Sequence, residues 1–227
     1  MITSTPNQYI NKISRQYEIP LYINKEGGIV QDWNYAYRKA DTPYVTITHQ
    51  DDIYYPCYRE HLLGVVTKED MALLYFTDYL EIRNEKKVIS NKLLRMKRAM
   101  LMPLRIKRLW YSKFVRRRIL SLGSPICCPA VTFVKKNIPG EPFRVGFRAD
   151  EDWDAWERIS KLDGGFIYDT RQNVAHRIHA QSETSNILHD NARANEDFQM
   201  FCRFWPVFIA KKLTKLYSTS EKSNVLD

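Results

Sequence analysis

The stretch Tyr44-Val45-Thr46-Ile47-Thr48-His49-Gln50-Asp51-Asp52 decides how this chain is read. β-Branched and aromatic residues dominate its first five positions, as they do on a pleated, half-buried surface. Two adjacent carboxylates close it. That order predicts a buried strand ending in an acidic turn, and in α/β sheets ligands bind outside the carboxyl ends of strands. Two carboxylates there suit a hard divalent cation, Mg²⁺ or Mn²⁺, whose other positions stay open to phosphate oxygens. The competing reading is a plain turn, where Asp is common.

Outward from this stretch, apolar periodicity alternates between strand and helix. Residues 8–17 read as a helix, 19–23 as a strand, 24–28 as a turn, and 29–40 as a helix with Val30, Trp33 and Tyr37 on one face. Downstream, 56–66 reads as a helix and 71–79 as a strand. Residues 131–134 follow as a strand, 150–162 as a helix and 165–168 as a short strand. A long aromatic-rich helical stretch over 192–217, bent at Pro206, precedes a tail expected to be disordered from Ser218. Such alternation implies a parallel or mixed sheet with helices on its faces.

The composition supports a packed core. Of 227 residues, 44% are hydrophobic and 13% aromatic, with only 8 glycines, which excludes wholesale disorder. There is no run of about 18 uncharged apolar residues to span a membrane. The opening MITSTPNQYINK lacks the apolar block of a secretory signal. Cys57, Cys127, Cys128 and Cys202 form no CxxC pair and read as reduced cytosolic thiols.

The net charge of +9 is unevenly spread. Residues 91–125 hold eleven basic side chains and no acidic one; the remaining 24 bases face 26 acids, a net of −2. This segment interleaves its bases with Leu, Met, Ile, Trp and Phe, and reads as amphipathic helices around Pro103. Such helices lie in anionic membrane interfaces. An ordinary solvated helical insertion is the second reading. Nucleic acid is the third, and it is not expected, because no nucleic-acid fold signature accompanies the segment.

A second acidic cluster, Asp150-Glu151-Asp152-Trp153-Asp154, packs four carboxylates into five residues at a predicted helix start. The helix dipole favours acids there, by about 0.3–1 kcal/mol each. The functional reading is a general base that takes a proton from a hydroxyl, since crowding raises a carboxylate's pKa. Trp153 and Trp156 at helical spacing are ordinarily core, with an acceptor-site wall as the alternative. His176 and His179 are too loosely spaced for zinc without a cysteine pair, and a hydrogen-bonded structural role is their default. His49, beside the acid pair, is a better functional candidate than His61.

These pieces occur in a familiar order. Glu26-Gly27-Gly28, Asn34 and Ala40, then the strand and His49-Gln50-Asp51-Asp52-Ile53-Tyr54-Tyr55-Pro56, resemble the middle of a family-two glycosyltransferase of the GT-A fold. The run from Asp150 to Arg158, then Gly164-Gly165 and Arg177-Ile178-His179 with Ser185, resembles its acceptor half. The resemblance covers roughly residues 3–185. It implies an incomplete GT-A fold, α/β and Rossmann-like, missing its N-terminal nucleobase-binding strand-helix unit. The core would be 1–90 and 126–190, with 91–125 inserted as a basic helical element and 191–227 as a C-terminal helix and tail.

The activity implied is an inverting hexosyl transfer. The sugar passes from a nucleoside-diphosphate sugar to a glycan or lipid-linked acceptor in cell-surface polysaccharide biosynthesis. The protein would be cytoplasmic, peripheral on the inner face of the plasma membrane through 91–125. By the same resemblance Asp152 is the catalytic base, with Glu151 its competitor. Asp51 and His179 lie at the metal, Mn²⁺ or Mg²⁺, and Asp52, Asn34, Gly28 and His49 on the donor side. Many relatives carry an Asp where His49 stands. The shortened front leaves a second function class open, an inactive remnant or a split subunit working with a companion chain that supplies the missing unit.

Overall fold

The computed structural model describes residues 1–178 and 192–221. The chain runs through β1 (Ile2–Thr3), α1 (Gln8–Gln16), β2 (Tyr22–Ile23), α2 (Ile29–Lys39), β3 (Tyr44–Thr46), β4 (Ile53–Tyr54) and α3 (Tyr58–Val66). The long strand β5 (Ala72–Arg83) and the short β6 (Lys86–Val88) follow. The basic insertion contains α4 (Lys92–Leu101), two 3₁₀ turns at Met102–Arg105 and Lys107–Tyr111, and α5 (Lys113–Ile119). Then come β7 (Val131–Val134), α6 (Glu151–Ile159), β8 (Gly165–Ile178), α7 (Ala192–Cys202) and α8 (Val207–Glu221).

The fold is mixed α/β. Its main sheet has the order β3-β7-β5-β8-β4, with β6 hairpinned onto β5. β5 and β8 are parallel, and the other neighbours are antiparallel. β1 and β2 pair separately as a parallel two-stranded ribbon. β5 is the centre. Every residue from Ala72 to Ile82 is buried, the continuous pattern of a strand covered on both faces rather than the alternation of a half-solvated one.

Two carboxylates interrupt that run, Asp78 at 8% exposure and Glu81 at 1%. A buried charge is costly unless paired and hydrogen-bonded. The insertion pairs them. Arg98 Nε donates to Asp78 at 2.7 Å, and its Nη2 to the Tyr79 carbonyl at 3.0 Å. Asn91, the N-cap of α4, donates to Glu81 at 2.8 Å, as does Arg83 Nε. Leu94, Leu101, Leu104, Trp110 and Ile119 enter the core beside them. Lys107 pairs with Glu69, Lys113 with Asp163 at 2.6 Å, and Arg117 with Glu157 at 2.6 Å. Arg116 is fully buried over the Phe166 ring at 5.2 Å. Burial pushes its pKa down to about 10. The inward face of the segment is therefore packed structure, and only its outer face is left for a partner.

Several expectations are extended. β8 runs for 14 residues rather than the four over 165–168. Its polar centre, from Asp169 to Gln172, is partly exposed, while β5 beside it holds the ladder together. The strand begins at a glycine pair for a steric reason. Gly164 has φ +139°, and a Cβ there would lie 2.5 Å from the Met71 carbonyl oxygen. The C-terminal stretch is two helices broken before Val207, where Pro206 lacks a donor. α8 reaches Glu221, so residues 218–221 are helical rather than a loose tail; 222–227 lie outside the described residues. Trp153 and Trp156 have no exposure and are core. Trp153 packs on Phe201 at 5.1 Å and Tyr217 at 5.8 Å, which seats the C-terminal helices.

Removing Arg98 strands the Asp78 carboxylate. Arg98→Ala is expected to destabilise by about 3 kcal/mol. In the double variant Asp78→Asn, Arg98→Ala, much of that loss should return. Urea unfolding of the four proteins measures this, and additive losses would contradict it.

Candidate functional site

The acidic turn leaves β3 and is strapped to the far end of β8. His176 Nδ1 lies 2.8 Å from Asp52 Oδ1, and the Arg177 backbone N–H donates to the same oxygen at 3.0 Å. Arg177 Nε donates to the Asp51 carbonyl at 3.2 Å. The Asp52 side chain is fully enclosed, yet its Oδ2 has no hydrogen-bond partner and faces His49 Nδ1 at 3.8 Å. His49 stacks on Trp33 of α2 at 5.2 Å. Burial by itself would raise the Asp52 carboxyl. The hydrogen bond and charge of His176, with the Arg177 N–H, outweigh it and hold the group below the usual Asp value. Asp51 is half-buried beside it.

The second acidic cluster divides by partner. Asp154 binds Arg158 at 2.8 Å and Arg203 at 2.6 Å, and Glu157 binds Arg117 and Lys161. These two are structural. The start of α6 is capped from outside by Glu196 of α7, which accepts from the backbone N–H groups of Arg148, Ala149 and Asp150 at 2.8–3.3 Å. Asp150 and Glu151 are buried. Asp152 is partly open, and burial raises its carboxyl above the usual value, against the opposing charges of Lys97 and Arg193. The Trp156 indole nitrogen lies near it without completing a hydrogen bond.

Cys127 and Cys128, just before β7, link the two stations. Burial pushes both thiols well up, and the carboxylates of both Asp52 and Asp152 push each further. Both stations are thus within electrostatic reach of one dipeptide. Lys97 of α4 opposes them at Cys127. Its ammonium donates to the Tyr79 hydroxyl at 3.1 Å and lines a narrow gap with Tyr79, Leu94 and Cys127. Tyr79 meets the His176 ring edge-on at 6.3 Å, so contact runs from Asp52 to Lys97. Lys97, Tyr79 and the Asp52 partnership of His176 escaped the sequence reading, because each depends on strands and helices far apart in the chain.

The remaining candidates are placed as follows. Gly28 has φ +108° and N-caps α2, a backbone conformation that favours glycine. Asn34, on the same helix, is buried; its Nδ2 donates to the Phe143 carbonyl at 2.9 Å, and its Oδ1 accepts from the Phe143 N–H at 3.2 Å. Its amide therefore clamps the loop before α6. His61 faces Asn173 at 3.0 Å. His179 and Ser185 lie outside the described residues. A wider groove lined by Arg105, Trp110, Tyr168 and Arg171 contains none of the predicted site residues.

Among the described residues no three His, Cys, Asp or Glu side chains form a metal cage. Mg²⁺ does not need one, since it is usually held by one or two carboxylates with substrate phosphates and water. Of the acid pair, Asp52 is enclosed and braced by His176, and Asp51 is the half-buried carboxylate that a cation would reach.

The chain is similar to a glycosyltransferase. Over 194 residues, 85% of its length, it is 24% identical to a Rickettsia conorii protein named as an uncharacterized glycosyltransferase, of which it spans 30%. No protein-family model matches it.

The shared influence of two carboxylates on the thiols is testable. Iodoacetamide at neutral pH should modify exposed Cys202 while sparing Cys127 and Cys128. Asp152→Asn should lower the Cys128 pKa and speed its alkylation by up to about tenfold, one pKa unit being tenfold in thiolate at this range. An unchanged rate by peptide mass spectrometry would separate the two stations.

Proposed function

We propose that the chain is an inverting glycosyltransferase of the GT-A type. It moves a hexosyl unit from a nucleoside-diphosphate sugar to a hydroxyl of a glycan or lipid-linked acceptor, in cell-surface polysaccharide biosynthesis at the cytoplasmic face of the membrane. The observation that carries this is that the carboxylates of Asp52 and Asp152 both act on one dipeptide, Cys127-Cys128, which Lys97 meets across a narrow gap.

Asp152 accepts the proton of the acceptor hydroxyl, whose oxygen attacks the anomeric carbon as the bond to the diphosphate breaks. Its raised pKa suits a base, because proton affinity rises with it. Glu151 competes for the role. Asp51 would hold Mn²⁺ or Mg²⁺, with His179 the other metal ligand that the family resemblance implies, and the cation when bound would neutralise charge on the departing diphosphate. Asp52, braced by His176, fixes the turn's shape. His49, Gly28 and Asn34 form or support the donor side through α2. Lys97 adds positive charge beside the diphosphate.

A second reading is favoured by one observation. The β1–β2 ribbon stands apart from the main sheet, and it and its neighbours expose Tyr9 at 71%, Tyr17 at 62%, Ile19 at 42% and Ile23 at 53%. A companion polypeptide covering these side chains would make this chain a subunit.

A thermal-shift panel of nucleoside-diphosphate sugars with Mn²⁺ separates the readings. The transferase should be stabilised by its donor, and Asp51→Asn should abolish the Mn²⁺-dependent part. Asp152→Asn should reduce turnover by about 10²–10⁴-fold with donor binding retained. Because the base works ionised and its pKa is raised from 3.8, activity should fall with acidification at a pH above that value. No shift with any donor favours the subunit.

A further inference from the structure

The insertion's outward face holds more than leftover charge. Phe114 is 73% exposed and Leu122 50%, and across from them at the start of α8 Val207 is 56% and Phe208 66% exposed. Contacts bind these into one surface. The Arg118 guanidinium lies 5.6 Å over the Phe114 ring and 5.0 Å over the Trp205 ring, and Trp205 Nε1 donates to the Ser121 carbonyl at 2.7 Å. Two stretches far apart in sequence, 107–122 and 203–215, thus meet, and together they carry ten basic residues and no acidic one.

Part of that charge is spent inside the protein. Lys107, Lys113, Arg117 and Arg203 pair with acids elsewhere, and Arg116 is buried. Arg108, Arg118, Lys211 and Lys212 are exposed, with no acidic partner among the described residues. What remains is a set of exposed Phe, Leu and Val side chains with exposed cations on the same two stretches.

We infer that this composite surface of α5, the turn after it and the start of α8 docks onto an anionic lipid bilayer. Aromatic and aliphatic side chains enter the headgroup boundary while neighbouring Lys and Arg meet acidic headgroups. Leu122 and Val207 decide against nucleic acid, because an aliphatic side chain offers neither phosphate contact nor a stacking face. Among the described residues no helix is long and apolar enough to cross a membrane, so attachment here is lateral. The inference stands on its own and holds whether or not the chain transfers sugar.

Co-sedimentation of the full chain with vesicles tests it. Phosphatidylcholine vesicles should retain little protein, and vesicles with about a third phosphatidylglycerol should retain most of it, less so as salt rises. Phe114→Glu with Phe208→Glu should weaken retention by roughly tenfold or more at unchanged Tm, both side chains being exposed. Lys25→Glu, outside the surface, should leave it nearly intact. No retention on anionic vesicles, retention indifferent to the double variant, or displacement by a DNA duplex that binds more tightly than the vesicles would each overturn the proposal.

Discussion

Asp78 and Glu81 set the terms for the rest of the molecule. They sit inside a strand buried on both faces, where an unpaired carboxylate would forfeit several kcal/mol. Arg83 and the insertion, through Arg98 and Asn91, supply their partners. The chain's lopsided charge is thus in part an internal complementarity, with a slightly acidic core holding a strongly basic arm. The same docking brings Lys97 against Tyr79 and Cys127, so a cation of the insertion lies beside the first of the two thiols.

Much of the fold was legible because its signals are local. The helices at Gln8–Gln16 and Ile29–Lys39 and the strand at Val131–Val134 match the apolar periodicity closely. What escaped had its apolar signal diluted. β5 continues past Tyr79 through Glu81, and β8 continues past Tyr168 through Asp-Thr-Arg-Gln, because each strand's ladder is satisfied by the other rather than by its own composition. The two-residue strands β1 and β4 lie below the length at which periodicity exists.

The candidate site was legible only as two unconnected words. Asp51-Asp52 and Glu151-Asp152 announce themselves as acid pairs at element ends, but nothing local says that His176 grips Asp52 or that Glu196 caps α6. Those pairings show which acids are taken up elsewhere. Asp154 and Glu157, equal to Asp152 by sequence, are spent on Arg158, Arg203 and Arg117. Asn34 is similarly spent on Phe143, where it clamps the loop before α6.

The eleven bases of the insertion therefore divide by dielectric environment, and the division has consequences for how each half behaves. Arg98 and Arg117 face carboxylates that are largely or wholly buried, where salt screens weakly. Arg108 and Arg118 project into water, where an interaction beyond a Debye length of about 8 Å at physiological ionic strength is lost. Rising salt should then detach the outer surface from an anionic partner well before it loosens the insertion from β5. One basic segment can serve both purposes because helical periodicity sends neighbouring residues in opposite directions. Arg116 lies buried over Phe166, while Arg118, two positions on, reaches Phe114 and Trp205 on the outside. A segment of the same composition but no helical period would have to choose between the core and the surface.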